Sequence, residues 1–257
     1  MTALCKSGRL FGGGLFARFP ILPPPLDAAE GLWYDETTLK KEKTGMTHVY
    51  LIRHGESQAN KIDAFLGQGD LDLTEKGHQQ AKLAAAYLQD IPVDVIYSSD
   101  LQRAYHTALY TAEQKGMEVI RNRNLREIDG GEWEQVTFSD LKERYAEDYG
   151  LWVSNIGRAC CTGGESVVHL LQRVTVEVEK IARENEGKTV FIFTHGTPLR
   201  VLKAAWDGKT LDEIRDIPWA SNASVTHGVY DGETFRMLEY SKDSFMGELV
   251  TALPDNV

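Results

Sequence analysis

Four short segments of this 257-residue sequence hold residues whose types and spacing suit the grip of an anionic group. Arg53-His54-Gly55-Glu56-Ser57, with Asn60 three residues on, sets a guanidinium beside an imidazole. An arginine is a poor core residue unless paired, and its planar fork suits a two-pronged hold on phosphate oxygens. Gly55 permits close backbone approach to a ligand. Ser98-Ser99-Asp100-Leu101-Gln102-Arg103-Ala104 puts Arg103 in the first turn after a strand. Leu125–Glu134 gathers Glu127, Asp129, Glu132 and Glu134, with a Gly130-Gly131 bend that can aim Glu127 inward. Thr194-His195-Gly196 closes the strongest strand signal of the chain. Singly, each has a plain structural reading: a packed histidine, a salt-bridging helix arginine, a charged loop. The set carries more than its members.

The elements that must position these residues alternate. His48–Arg53, Val93–Ser98, Glu118–Arg121 and Thr189–Thr194 are short apolar runs of the kind a buried strand makes. Between them the spacing predicts helices over Leu73–Gln89, with Thr74 as N-cap, and over Leu101–Lys115, closed by Gly116. A charged amphipathic helix is expected over Phe138–Tyr149, a long one over Glu165–Asn185, and one opened by Pro198 that reaches Trp206. Residues 223–230 and 233–241 flank Asp231-Gly232, a hairpin turn signal. Strands alternating with helices imply β-α-β units. The expected fold is therefore an α/β, three-layer α/β/α sandwich with a mainly parallel sheet. Ligands of such sheets bind beyond the C-terminal strand ends, and both His54 and His195 lie there.

Composition narrows the class. Residues 1–45 carry six Lys/Arg against five Asp/Glu, so the rest of the chain holds −11 of the net −10. An acidic chain argues against general nucleic-acid binding, which needs basic patches. No apolar run reaches the ~18 residues of a membrane span. Cys5, Cys160 and Cys161 lack the paired spacing of a zinc site, and their low number points to a cytoplasmic protein. Residues 1–45, with Gly12-Gly13-Gly14 and Pro23-Pro24-Pro25, show no helix or strand period. They read as a disordered extension or as sequence upstream of a true start at Met46. Residues 46–257 read as one catalytic domain with a cap-like insertion at about 128–164.

The set and its order resemble the histidine phosphatase superfamily, the phosphoglycerate mutase-like group, over roughly residues 48–242. Arg53–Ser57, Gly67-Gln68-Gly69-Asp70 with Leu73–Gly77, Ser99–Ala104 with Thr107-Ala108, Leu125–Glu134, Gly163–Ser166 and His195-Gly196 all resemble the family's ordered motifs. The resemblance implies a phosphoglycerate mutase-like fold and a nucleophilic His54 that forms a phosphohistidine. It implies Glu127 as general acid and then base, with Asp129 or Glu132 as the other acids in reach of that role. Arg53, Arg103, Asn60 and a protonated His195 are implied to hold the phosphoryl group in place of Mg²⁺, so neither metal nor cofactor is expected. Leu66, Gly67, Gln68, Trp133 and Trp152 are expected to touch the substrate, a small phosphorylated metabolite. Phe138, Tyr145 and Tyr149 are further candidates for a pocket roof. Two departures stand out. Gln135 occupies a position where the family commonly has glycine, which predicts a reshaped pocket wall. Only 38 residues separate Glu127 from Glu165, shorter than in the glycolytic mutases and more like small-molecule phosphatases such as α-ribazole phosphatase. A mutase, a non-catalytic phospholigand-binding module and a metal hydrolase are the competing expectations. A C-terminal hairpin at a sheet edge would suit a homodimer.

Overall fold

A computed structural model describes residues 45–251. The expectation for residues 1–44 lies outside the described residues. Six strands form one sheet in the order β3-β2-β4-β1-β5-β6. They are β1 (Thr47–Arg53), β2 (Val95–Ser98), β3 (Val119–Arg121), β4 (Thr189–Thr194), β5 (Val225–Tyr230) and β6 (Phe235–Lys242). The first four run parallel, with Arg53 of β1 in register with Thr194 of β4. The β5–β6 hairpin adds two antiparallel strands through β1 and turns at Asp231-Gly232, where Gly232 adopts a φ of 100°.

The period of two along the strands divides two cores. Val49 and Leu51 of β1, with Val190 and Ile192 of β4, pack against α6 (Val167–Glu184) and α7 (Gly196–Trp206). Ile52, Phe191 and Phe193 point the other way, toward α2 (Glu75–Tyr87) and α3 (Gln102–Lys115). Strands buried on both faces must be apolar throughout, which is why these runs lack alternation. Helices thus flank the sheet on both faces, as the sequence implied. Thr74 caps α2 by accepting from the Gly77 N–H at 3.0 Å, a contact that stabilises by ~1 kcal/mol. Among the described residues no helix is long and apolar enough to cross a membrane.

Two elements differ from expectation. A short helix, α1 (Gln58–Lys61), follows β1, capped by Ser57. The single helix expected over Phe138–Tyr149 is two, α4 (Phe138–Arg144) and α5 (Ala146–Ser154), broken at Tyr145. The break turns Tyr149 and Trp152 into an aromatic cluster, each with its ring 5.9 Å from that of Trp133. Burying those rings outweighs helical continuity, because aromatic side chains contribute large apolar areas.

Candidate active site

His54 and His195 follow directly after β1 and β4. Because those strands are neighbours, the two rings stand 5.1 Å apart. The His54 carbonyl accepts from Ala223 N at 3.1 Å and from Asn222 Nδ2 at 3.1 Å, which fixes the chain leaving β1. The His54 Nδ1–H donates to the Gly55 carbonyl at 2.6 Å, so the Nε2 lone pair is the one available to a ligand. Burial, then Arg103 and Arg53, hold the His54 pKa well below 6.5, so the ring is neutral at pH 7.

Gly55 serves a packing need. A Cβ there would lie 2.4 Å from the Gly77 carbonyl oxygen, so the close approach is to the start of α2. The Gly55 N–H donates to Thr107 Oγ1 at 3.0 Å, and Thr107 donates in turn to the Arg103 carbonyl at 2.7 Å. This chain ties β1 to the first turn of α3.

Both arginines are buried. Arg53 Nη1 donates to the Ala220 carbonyl at 2.5 Å, while its Nε has no partner. Arg103 donates from Nη2 to Gly67 O at 2.7 Å and from Nη1 to Gly69 O at 2.8 Å. Burial lowers both pKa values, that of Arg103 to about 10, so each stays cationic at pH 7. Asn60 accepts at Oδ1 from Ser57 N and Oγ, which leaves its amide NH₂ as the group offered to a ligand.

Glu127 is 7% exposed. Its oxygens accept from Ile128 N at 2.9 Å and Thr197 N at 3.2 Å. Burial raises its pKa above 4.5 against the pull of those N–H groups and of Arg103. Asp129 instead accepts from Gly131 N, and Glu132 is exposed and bonded by the Tyr145 hydroxyl. Of the three acids, only Glu127 lines the cavity, which has a volume of about 200 Å³.

Arg53, His54, Asn60, Arg103 and Glu127 share that cavity with Ser57, Asn222 and the start of α7 at Gly196 and Thr197. A helix N-terminus favours an anion beside it. The outer wall is Asp63, Ala64, Phe65, Leu66, Phe138, Trp152 and Trp219, and Thr251 also lines the cavity. Asn222, Trp219 and Thr251 lie outside every motif, so nothing local in the sequence pointed to them.

Several expectations need correction. Trp133 is fully buried and donates to Thr162 Oγ1 at 3.0 Å, so it is a core residue. Gly67 and Gln68 do not line the cavity. Gly67 holds Arg103, and Gln68 Nε2 donates to the Glu127 carbonyl at 3.3 Å. Tyr145 and Tyr149 stay outside as well. Gln135 is exposed and leaves the pocket wall unchanged; its departure from glycine places a side chain at a φ of 61°. His195 is fully buried and does not itself line the cavity, and its protonated form is disfavoured there. Burial, then Arg103, His54 and Arg53, lower its pKa well below 6.5. His195 Nε2 bonds Ser99 Oγ at 2.8 Å, and its buried Nδ1 has no partner.

Two histidines, two arginines and one carboxyl gather at the C-terminal ends of the parallel strands, an arrangement suited to holding an anionic group. Residues 49–243 match the family described as histidine phosphatase superfamily (branch 1), and the chain belongs to it. It is 38% identical over 169 residues to phosphoserine phosphatase 1 of Hydrogenobacter thermophilus, covering 66% of this chain and 80% of that one. It is 31% identical over 156 residues to adenosylcobalamin/alpha-ribazole phosphatase of Salmonella typhimurium, covering 61% and 77%. Among solved structures, Bacillus stearothermophilus YhfR matches with a TM-score of 0.75 at 31% identity, over 78% of this chain and 99% of that one. The chain is an enzyme of this family.

Proposed function

We propose that the enzyme hydrolyses small phosphate monoesters without a metal ion, through a phosphohistidine on His54. The observation that carries the reading is the His54 Nδ1–H bond to Gly55 O, which leaves Nε2 as a neutral nucleophile in a cavity with two guanidiniums and a buried acid. Nε2 attacks phosphorus, the P–N bond forms and the ester P–O bond breaks. Glu127 gives its proton to the departing alkoxide. Water then loses a proton to Glu127 and attacks phosphorus, the P–N bond breaks, and orthophosphate leaves. Splitting one displacement into two lowers each barrier. Arg53, Arg103, the Asn60 amide and the start of α7 stabilise charge on the phosphoryl oxygens. The unpartnered His195 Nδ1 gains a proton and a partner when a phosphate dianion enters.

Phosphoserine phosphatase 1 is named for a small phosphorylated amino acid, and this chain's outer wall suits an alcohol of similar size with an apolar face. Phe65, Phe138, Trp152 and Trp219 supply that face. Mutase activity is the second reading. It needs cations for a second anionic group, and among the described lining residues the arginines are Arg53 and Arg103 alone.

The test is phosphate release from a panel of monoesters in excess EDTA, with His54→Ala alongside. Release by the wild type only, and acid-labile label on His54, is the expected result. Isomerised 3-phosphoglycerate without phosphate release would replace this reading with the mutase. Equal release by His54→Ala would end both.

A further inference from the structure

We propose that Glu134 is a positioning residue, whose carboxylate shapes the carbonyl cradle that orients Arg103, so that phosphate affinity depends on a side chain outside the cavity. The inference rests on Arg103 being a phosphate ligand, as in the reading above. Each Glu134 oxygen accepts two backbone N–H groups. Oε1 accepts from Gln68 at 2.6 Å and Gly130 at 3.0 Å, and Oε2 from Gly67 and Gly69 at 3.0 Å each. Three successive N–H groups turned toward one anion form a nest, and the chain has to bend around the anion to make it. The carbonyls of Gly67 and Gly69 at the ends of that bend are the two that receive the Arg103 guanidinium.

The loop can close only on glycine. A Cβ at Gly67 would lie 2.3 Å from the Ile128 carbonyl oxygen and 2.5 Å from Glu134 Oε1. The fourth donor, Gly130, lies on the segment that carries Glu127, and Gln68 also donates to the Glu127 carbonyl. One carboxylate therefore ties the cradle of the phosphate-binding arginine to the strand of chain that aims the acid. Its charge acts in the same sense. Glu134, with Glu127 and Asp70, offsets the burial that weakens the Arg103 cation. Without the carboxylate, four N–H groups lose their acceptor and the two carbonyls lose their fixed orientation.

A residue that merely closed a loop would leave a different signature from one that acts through Arg103. The experiment is a double-mutant cycle read by calorimetric orthophosphate binding: wild type, Glu134→Gln, Arg103→Ala and the double variant. Glu134→Gln should weaken orthophosphate about 10-fold when Arg103 is present and less than about 2-fold in the Arg103→Ala background. Equal factors in the two backgrounds, or unchanged affinity in Glu134→Gln, overturn the proposal. Should Glu134→Gln not fold by circular dichroism, Glu134→Asp keeps the charge on a shorter arm and must show the same non-additivity. A wild type that binds orthophosphate yet releases none from any ester sinks the phosphatase reading and leaves this one standing. A wild type that binds no orthophosphate sinks this one.

Discussion

Two histidine pairs stand on the same sheet, one buried and one half-buried, and they differ in what surrounds them. His54 and His195 lie past the C-terminal ends of β1 and β4, with ring centroids 5.1 Å apart. His48, near the N-terminal end of β1, pairs with His227 of β5 at 5.3 Å. Burial lowers the pKa of both His54 and His227, the latter to about 4. The second pair turns its nitrogens on each other, with His48 Nδ1 3.0 Å from His227 Nε2, and His227 lies flat on Tyr50 at 4.1 Å. The first pair lies beside two guanidiniums, and His54 lines a cavity. A shifted pKa alone therefore does not mark a catalytic histidine. What marks it is an anion-binding neighbourhood and a cavity.

The sharpest way to break the comparison is substitution. His54→Ala should lower kcat/KM by ~10⁴-fold or more, the scale of losing a covalent nucleophile, while His227→Gln should stay within about 2-fold. Comparable losses at both sites, measured by phosphate release, would erase the distinction. Glu127→Gln should cost ~10²–10⁴-fold on alkyl esters and less on esters with good leaving groups, since only the former need a proton. Uniform loss across leaving groups would remove the general-acid role.

Acid stability separates the pairs next. The folded pKa of each of His54, His195 and His227 lies below the unfolded value of 6.5, so the unfolded chain binds more protons below that pH. Stability from these groups is full above pH 6.5 and is lost as pH falls, for His227 down to about pH 4. The calorimetric Tm should drop between pH 7 and pH 5. Saturating orthophosphate should recover the share owed to the pocket pair, because an anion favours the protonated ring. His227→Gln should flatten the remaining slope with or without phosphate. A Tm independent of pH across that window would contradict the burial of all three rings. The smallest effect belongs to Gln135→Gly. Relief of the left-handed backbone, ~1–2 kcal/mol, is partly offset by glycine's entropy, ~0.5–1 kcal/mol, leaving a gain of at most ~1.5 kcal/mol with activity unchanged. A changed KM would restore Gln135 to the pocket wall.

Much of the site was legible because its residues sit in local patterns. Arg53, His54, Asn60, Arg103, Glu127 and His195 each end a strand, open a helix or precede a glycine bend, and such positions show in a short window. Glu134 was visible within its motif, but its four backbone partners were not, since three come from a loop far away in sequence. Trp133 and Trp152 looked alike in the sequence. Packing sends one into the core and the other to the cavity, a difference that depends on the bend at Tyr145.

The sequence by itself determined the strands, their helices and which residues stand at the strand ends, because hydrophobic period and turn chemistry are local properties. Only the tertiary structure decided that β4 lies beside β1 and that the Ala220–Ala223 segment folds back onto His54 and Arg53. Strand order and long-range backbone contacts are chosen by the burial of whole faces against one another, and no window of the chain contains both partners.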